Sequence, residues 1–134
     1  MFTHPTHETP SLEALQAYGL ASKVQVAQGD NAGSVPIYER AISLDPNFAL
    51  AYASLGATYY NLGETALAAK NASKGFELRD RVSEAERLGI ESRYHHFVTG
   101  DLGWPGYWDF TTVIVLTALE FSNERSSYSR RKAT

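Results

Sequence analysis

The sequence contains no cysteine, which excludes disulfide bonds, thiolate metal sites and cysteine nucleophiles. It also lacks a long apolar run. The most apolar stretch, residues 112–119, is far shorter than the roughly 20 residues that a helix needs to span a bilayer. The net charge of -3 gives no general attraction to nucleic acid or to an anionic membrane. The sequence therefore predicts neither kind of partner.

The first ten residues show no basic segment followed by an apolar one, so they do not have the pattern of a signal peptide. They contain two prolines, two histidines and three threonines without periodicity, which predicts a flexible arm over residues 1–10. A length of 134 residues allows one compact domain. We expect a cytoplasmic protein.

Helix start and stop signals divide residues 11–102 into five predicted helices. They run from Ser11 to Gln28, from Asp30 or Asn31 to Leu44, from Pro46 to Leu62, from Glu64 or Thr65 through Phe76, and from Ser83 to Val98. Ser83 with Glu86 three residues later is a capping-box pattern.

Three predicted turns share one composition, a glycine followed by an acidic residue. Glycine supplies the left-handed geometry that closes a helix, and the acidic residue favours the positive end of the next one. Gly29 and Gly63 are 34 residues apart, and Gly100 follows after 37. A period of this length with two helices in each unit is typical of helical repeat proteins.

The apolar and small residues follow the same period. Residues 49–82 contain Tyr52, Leu55, Gly56, Tyr59, Gly63 and Ala68, and residues 15–48 contain Tyr18, Tyr38, Ala41 and Pro46. This pattern resembles the tetratricopeptide repeat family, with departures at Ala21-Ser22 and at Leu78-Arg79-Asp80. The resemblance implies an all-α, right-handed superhelix of antiparallel hairpins, with two repeats and the first helix of a third over residues 11–102.

A narrower resemblance covers residues 10–18, 36–52 and 79–88, which are similar to the repeat region of large bacterial signalling proteins. In those proteins the repeats follow a serine/threonine-kinase or transcription-regulator module. The resemblance implies a piece of a sensor or scaffold. The chain contains no glycine-rich phosphate loop and no His-Arg-Asp motif, so no kinase site is predicted.

The resemblance stops at Leu102. Residues 103–121 form a divergent segment, for which we predict a capping helix, and the serine-rich basic residues 122–134 predict a disordered tail. Trp104 and Trp108 are expected to cover the open end of the last helix; an exposed recognition patch is the alternative. A truncated or shifted reading frame would also produce such an ending.

Tetratricopeptide arrays bind peptides on the concave face formed by the first helix of each repeat. The resemblance implies such a surface here and a protein or peptide partner. The candidate residues are Lys23, Tyr60, Asn61 and Arg87. Lys23 and Arg87 would hold an acidic group, Asn61 would bond a peptide backbone and Tyr60 would provide a stacking surface. The alternative is that both cations are ordinary solvated charges.

Chaperone-tail binding is not predicted, because Gly19, Lys23 and Ser54 do not reproduce the carboxylate clamp of the chaperone-binding members. His95 and His96 are adjacent on a predicted helix and point about 100° apart, so they do not form a metal site together. No catalytic residue and no cofactor are predicted. Self-association through the open end of a short array, which would give a homo-oligomer, is the alternative function.

Overall fold

The computed structural model of the protein describes residues 10–101. Three predictions lie outside the described residues: the N-terminal arm before Pro10, the segment with Trp104 and Trp108, and the basic tail. Within residues 10–101 the chain forms helices and no strand, so the all-α class is confirmed. No helix in that range is both long enough and apolar enough to cross a membrane.

Five α-helices make up the fold. They are α1 (Leu12–Ser22), α2 (Asn31–Leu44), α3 (Ala49–Asn61), α4 (Thr65–Glu77) and α5 (Glu84–Tyr94). A π-helical turn extends α1 over Lys23–Ala27, another extends α5 over His95–Thr99, and a short 3-10 helix occupies Arg79–Arg81. Helices α1 and α2 pack together, as do α3 and α4, so the fold is a tetratricopeptide-like helical repeat.

Most of the predicted helix starts and stops depend on local sequence and are confirmed. Ser11 Oγ accepts a hydrogen bond from the Ala14 amide at 3.2 Å, and Asp30 Oδ1 accepts one from the Gly33 amide at 2.8 Å. Ser83 caps α5 in the same way. The predicted turn glycines Gly29, Gly63 and Gly100 all have positive φ, as the closure of a helix by a left-handed residue requires.

The predicted start of the third helix at Pro46 is wrong, because α3 begins at Ala49. Asp45 Oδ1 accepts a hydrogen bond from the Asn47 amide at 3.1 Å, and the Asp45 carbonyl accepts one from the Phe48 amide. This turn places the Phe48 ring in the core against Tyr18, with the ring centroids 5.2 Å apart. Local side-chain bonding therefore outweighs the preference of proline for a first helical turn.

Small residues bring α3 and α4 almost into backbone contact. A Cβ atom added at Gly56 would lie 3.0 Å from the Ala68 carbonyl oxygen and 3.1 Å from the Ala72 nitrogen. A Cβ atom at Gly75 would lie 3.0 Å from the Ala49 carbonyl oxygen. We call this contact between α3 and α4 the seam. Because both glycines are buried in it, a side chain larger than hydrogen does not fit there without moving a helix.

Helix α3 is the centre of the packing. Tyr38 of α2 and Leu55 of α3 share one core cluster with α1, while Ala53 of α3 and Ile90 of α5 share another. The first helices of successive hairpins, α1, α3 and α5, are therefore connected through α3. We call the exposed part of these three helices, together with the π-helical turns that extend α1 and α5, the first-helix surface.

Replacement of Gly56 tests the seam. We expect Gly56→Leu to lower the free energy of unfolding by about 1–3 kcal/mol, because the larger side chain must push α4 away. Gly19→Ala is the matched control: Gly19 is also inside a helix, but an added Cβ meets nothing within 4 Å. That substitution should raise stability by up to about 1 kcal/mol through helix propensity. Urea unfolding followed by circular dichroism measures both, and an unchanged Gly56→Leu midpoint would contradict the close packing.

Candidate functional site

The predicted stacking residue, Tyr60, lies near the end of α3 and is 44% exposed. Its ring stacks on Phe97 with centroids 4.6 Å apart and meets His96 edge-on at 5.2 Å. The contact with Phe97 fixes the orientation of the ring, and the exposed part of the ring is available to a partner. Tyr60 therefore has the exposure and the support that a stacking surface requires.

Asn61 follows Tyr60 at the carboxyl end of α3, and Lys23 lies at the carboxyl end of α1. The Asn61 side-chain amide donates a hydrogen bond to Asn31 Oδ1 at 3.1 Å, which joins the end of α3 to the start of α2. A peptide backbone would compete with Asn31 for that amide. Lys23 is exposed at the first residue of the π-helical turn after α1.

Arg87 is held by two carboxylates of the protein. Its Nε donates a hydrogen bond to Glu91 Oε1 at 2.8 Å, and its Nη1 lies 3.6 Å from Asp80 Oδ1. The hydrogen bond with Glu91, more than any other contact, raises the pKa of Arg87 above its ordinary value. An acidic group of a partner would therefore have to compete with Asp80 and Glu91 for this guanidinium.

The four predicted residues do not form one cluster. Tyr60 contacts Phe97, whereas Arg87 lies ten residues earlier on the same helical run, which is about 15 Å along the axis. Lys23, Tyr60 and Asn61 are thus at one end of the first-helix surface and Arg87 is toward the other.

A cavity that the sequence did not predict lies at the Arg87 end. Its volume is about 200 Å³, and it opens where the amino-terminal ends of α1, α3 and α5 converge. The apolar lining consists mainly of Leu15, Tyr18, Phe48, Leu50 and Val82. Leu15 of the first predicted helix forms one wall of this cavity, but the other walls come from segments far apart in the chain.

Tyr18 links this cavity to a polar layer beneath the surface. Its hydroxyl is 3.0 Å from Ser54 Oγ, so α1 and α3 are joined by a side-chain hydrogen bond. The Tyr38 hydroxyl donates to Gln25 Oε1 at 2.7 Å and lies 3.3 Å from Ser22 Oγ. Burial lowers the pKa of the nearby Arg93, and the electrostatic influence of Tyr18 and Tyr38 opposes that change. The Tyr18 contact thus joins α1 to α3, and the Tyr38 contacts join α2 to the carboxyl end of α1.

His95 and His96 point to different neighbours. His95 Nδ1 is 3.2 Å from Thr99 Oγ1. The His96 ring packs on Tyr60 and Phe97. Within residues 10–101 there is no group of three or more histidine, cysteine, aspartate or glutamate side chains placed to hold a metal ion.

A family model for the tetratricopeptide (TPR) repeat matches residues 23–63. This span runs from the π-helical turn after α1, through α2 and α3, to the turn at Gly63. The match supports the tetratricopeptide resemblance over these residues. No curated protein and no solved structure matches the chain. The narrower resemblance to bacterial signalling proteins therefore stays a prediction.

Tyr38 provides a test of the polar layer, because it is the largest fully buried side chain among the described residues. Tyr38→Phe removes a hydroxyl bonded to Gln25 and leaves that acceptor without its donor. We expect a loss of about 1–2 kcal/mol in the free energy of unfolding at neutral pH. Tyr60→Phe is the control: Tyr60 is 44% exposed, and loss of its hydroxyl should lower the free energy of unfolding by less than about 0.5 kcal/mol.

The pH dependence of stability gives a second readout at the same residue. Burial raises the pKa of Tyr38 above its ordinary value of 10.0, so the unfolded chain loses this proton first. The stability that comes from the raised pKa of Tyr38 is fully present below pH 10.0 and is lost as the pH rises further. Above pH 10.0, the free energy of unfolding should therefore change less with pH in Tyr38→Phe than in the wild type. Parallel profiles for the two proteins would contradict the assignment.

Proposed function

We propose that this chain is a non-catalytic protein-interaction module that binds a peptide or protein segment on the first-helix surface. Tetratricopeptide repeats generally mediate protein–protein interaction, and the family is generally non-catalytic. The match over residues 23–63 and the helical-repeat fold support this coarse assignment. The cytoplasmic location and the signalling context remain predictions from the sequence.

One observation favours the first-helix surface over the rest of the molecule. Eight large hydrophobic side chains are exposed within residues 10–101, and only Leu67 among them belongs to α2 or α4. Helix α1 and its π-helical extension carry four of the others, Leu12, Leu15, Leu20 and Val26. Exposed apolar side chains concentrated on one layer of helices are typical of interaction surfaces.

The predicted residues have distinct proposed roles on this surface. Tyr60 offers its ring to an apolar or planar group, and Lys23 offers an exposed cation to an acidic one. Asn61 would bond a peptide backbone after exchange with Asn31. Arg87 would contribute only in competition with Asp80 and Glu91, so we expect it to add less than Lys23.

Peptide capture tests this proposal. Random peptides displayed on phage would be selected on the wild-type chain, and the enriched sequences measured against Tyr60→Ala and Lys23→Glu. We expect each substitution to weaken capture by about tenfold, because each removes a proposed contact of 1–2 kcal/mol. Lys70→Glu, a charge reversal at an exposed position of α4, is the control. Unchanged affinity in both first-helix variants, with normal helicity, would reject this surface.

Self-association is the second candidate function. It is favoured by Leu12 and Leu20, which are 70% and 52% exposed on the first helix of the array. A second copy could cover them, as repeat arrays require at their ends. Sedimentation velocity over a concentration series distinguishes the two functions: a monomer at every concentration would exclude self-association and leave peptide binding as proposed.

A further inference from the structure

The cavity at the amino-terminal ends of α1, α3 and α5 has the size of a side-chain pocket. An apolar cavity of about 150 Å³ in a protein interior is large enough to bind benzene. At about 200 Å³ this cavity can therefore accept a phenyl ring or a leucine side chain. It is open at the surface, so a side chain can enter without unfolding a helix.

The walls of the cavity are fixed before any partner arrives. The Tyr18 ring packs on Phe48 and on Tyr38, with centroids 5.2 Å and 5.7 Å apart, and its hydroxyl is bonded to Ser54. Phe48 is held by the Asp45 turn. A preformed apolar pocket binds without first ordering its walls, which favours affinity.

The mouth of the cavity has an excess of negative charge. Asp45 and Glu86 both line it, against one guanidinium, that of Arg81. Glu86 is exposed in the first turn of α5, and one oxygen of Asp45 already accepts the Asn47 amide. The charge at the mouth is complementary to a lysine or arginine and opposes an acidic residue.

We propose that this cavity takes one phenylalanine- or leucine-sized side chain of a bound peptide, with a basic residue of the same peptide beside Asp45 and Glu86. The inference rests on the proposed peptide-binding function and specifies the chemistry of the partner. It differs from the expectation of an acidic partner group at Arg87, because Asp80 and Glu91 occupy that guanidinium.

The apolar part is tested with N-acetyl-phenylalaninamide added to the full chain labelled with ¹⁵N. We expect saturable shifts of the amide signals of Leu15, Phe48, Leu50 and Val82. Leu15→Trp should fill the cavity and weaken binding by at least about tenfold, since the ring of the probe loses its buried site. Leu67→Trp is the matched control, because Leu67 is 38% exposed, close to the 40% of Leu15, and lies outside the cavity.

The charged part is tested with two peptides, acetyl-Lys-Ala-Phe-Ala-Lys-amide and acetyl-Glu-Ala-Phe-Ala-Glu-amide. The lysine peptide should bind about two- to fivefold more tightly at low salt, as exposed ion pairs allow. Glu86→Gln should reduce that preference. Glu84→Gln, in the same turn of α5 but outside the cavity, should reduce it less.

The results separate this inference from the proposed function. Absent or non-saturable shifts, or equal weakening by Leu15→Trp and Leu67→Trp, would overturn the pocket. Preference for the glutamate peptide would overturn the charge assignment. If peptides selected on phage still require Tyr60 in those cases, the first-helix surface binds peptides elsewhere. If the wild-type chain does not bind the probe and Leu15→Trp changes the sedimentation of the protein, the cavity belongs to a contact between copies of the chain. That result would also overturn the inference.

Discussion

The close approach of α3 and α4 is the constraint on which the rest of the fold depends. Gly56 and Gly75 allow the two backbones to meet, and the alanines opposite them leave no room for larger side chains. Because α3 is held in this way, it can serve both neighbouring first helices. Ala53 contacts the cluster that includes Ile90 of α5, and Ser54 bonds Tyr18 of α1. The placement of the proposed binding surface thus depends on the close contact between α3 and α4.

Aromatic residues then decide what the surface presents. Tyr18 and Phe48 form a rigid wall at one end, and Tyr60 with Phe97 forms a partly exposed stack at the other. Arg87 is engaged within the fold, because its Nε donates a hydrogen bond to Glu91, which also lies 3.9 Å from Arg79. In the proposed function, the surface would therefore offer two apolar points of attachment, and its charges would mainly select among partners.

The parts of this fold that are local in sequence could be predicted. Caps at Ser11, Asp30 and Ser83, and the three glycine closures, depend on neighbours within four residues. The turn at Asp45 could not be placed, since it depends on where the Phe48 ring finds its core. The candidate site was predicted only as four side chains on one layer of helices. The cavity could not be predicted, because its lining residues Leu15, Phe48 and Val82 are far apart in the sequence and meet only when the helices pack.

The central position of the α3–α4 seam also has a kinetic consequence. In an array where each element contacts mainly its neighbours, opening begins at the ends and moves inward. Helix α1, with its exposed leucines and no helix before it among the described residues, is placed to open first, and α3 last. Backbone amides of α3 should therefore exchange with solvent most slowly. A ligand that joins α1 to α5 across the surface would slow exchange throughout the array, although it touches neither α2 nor α4.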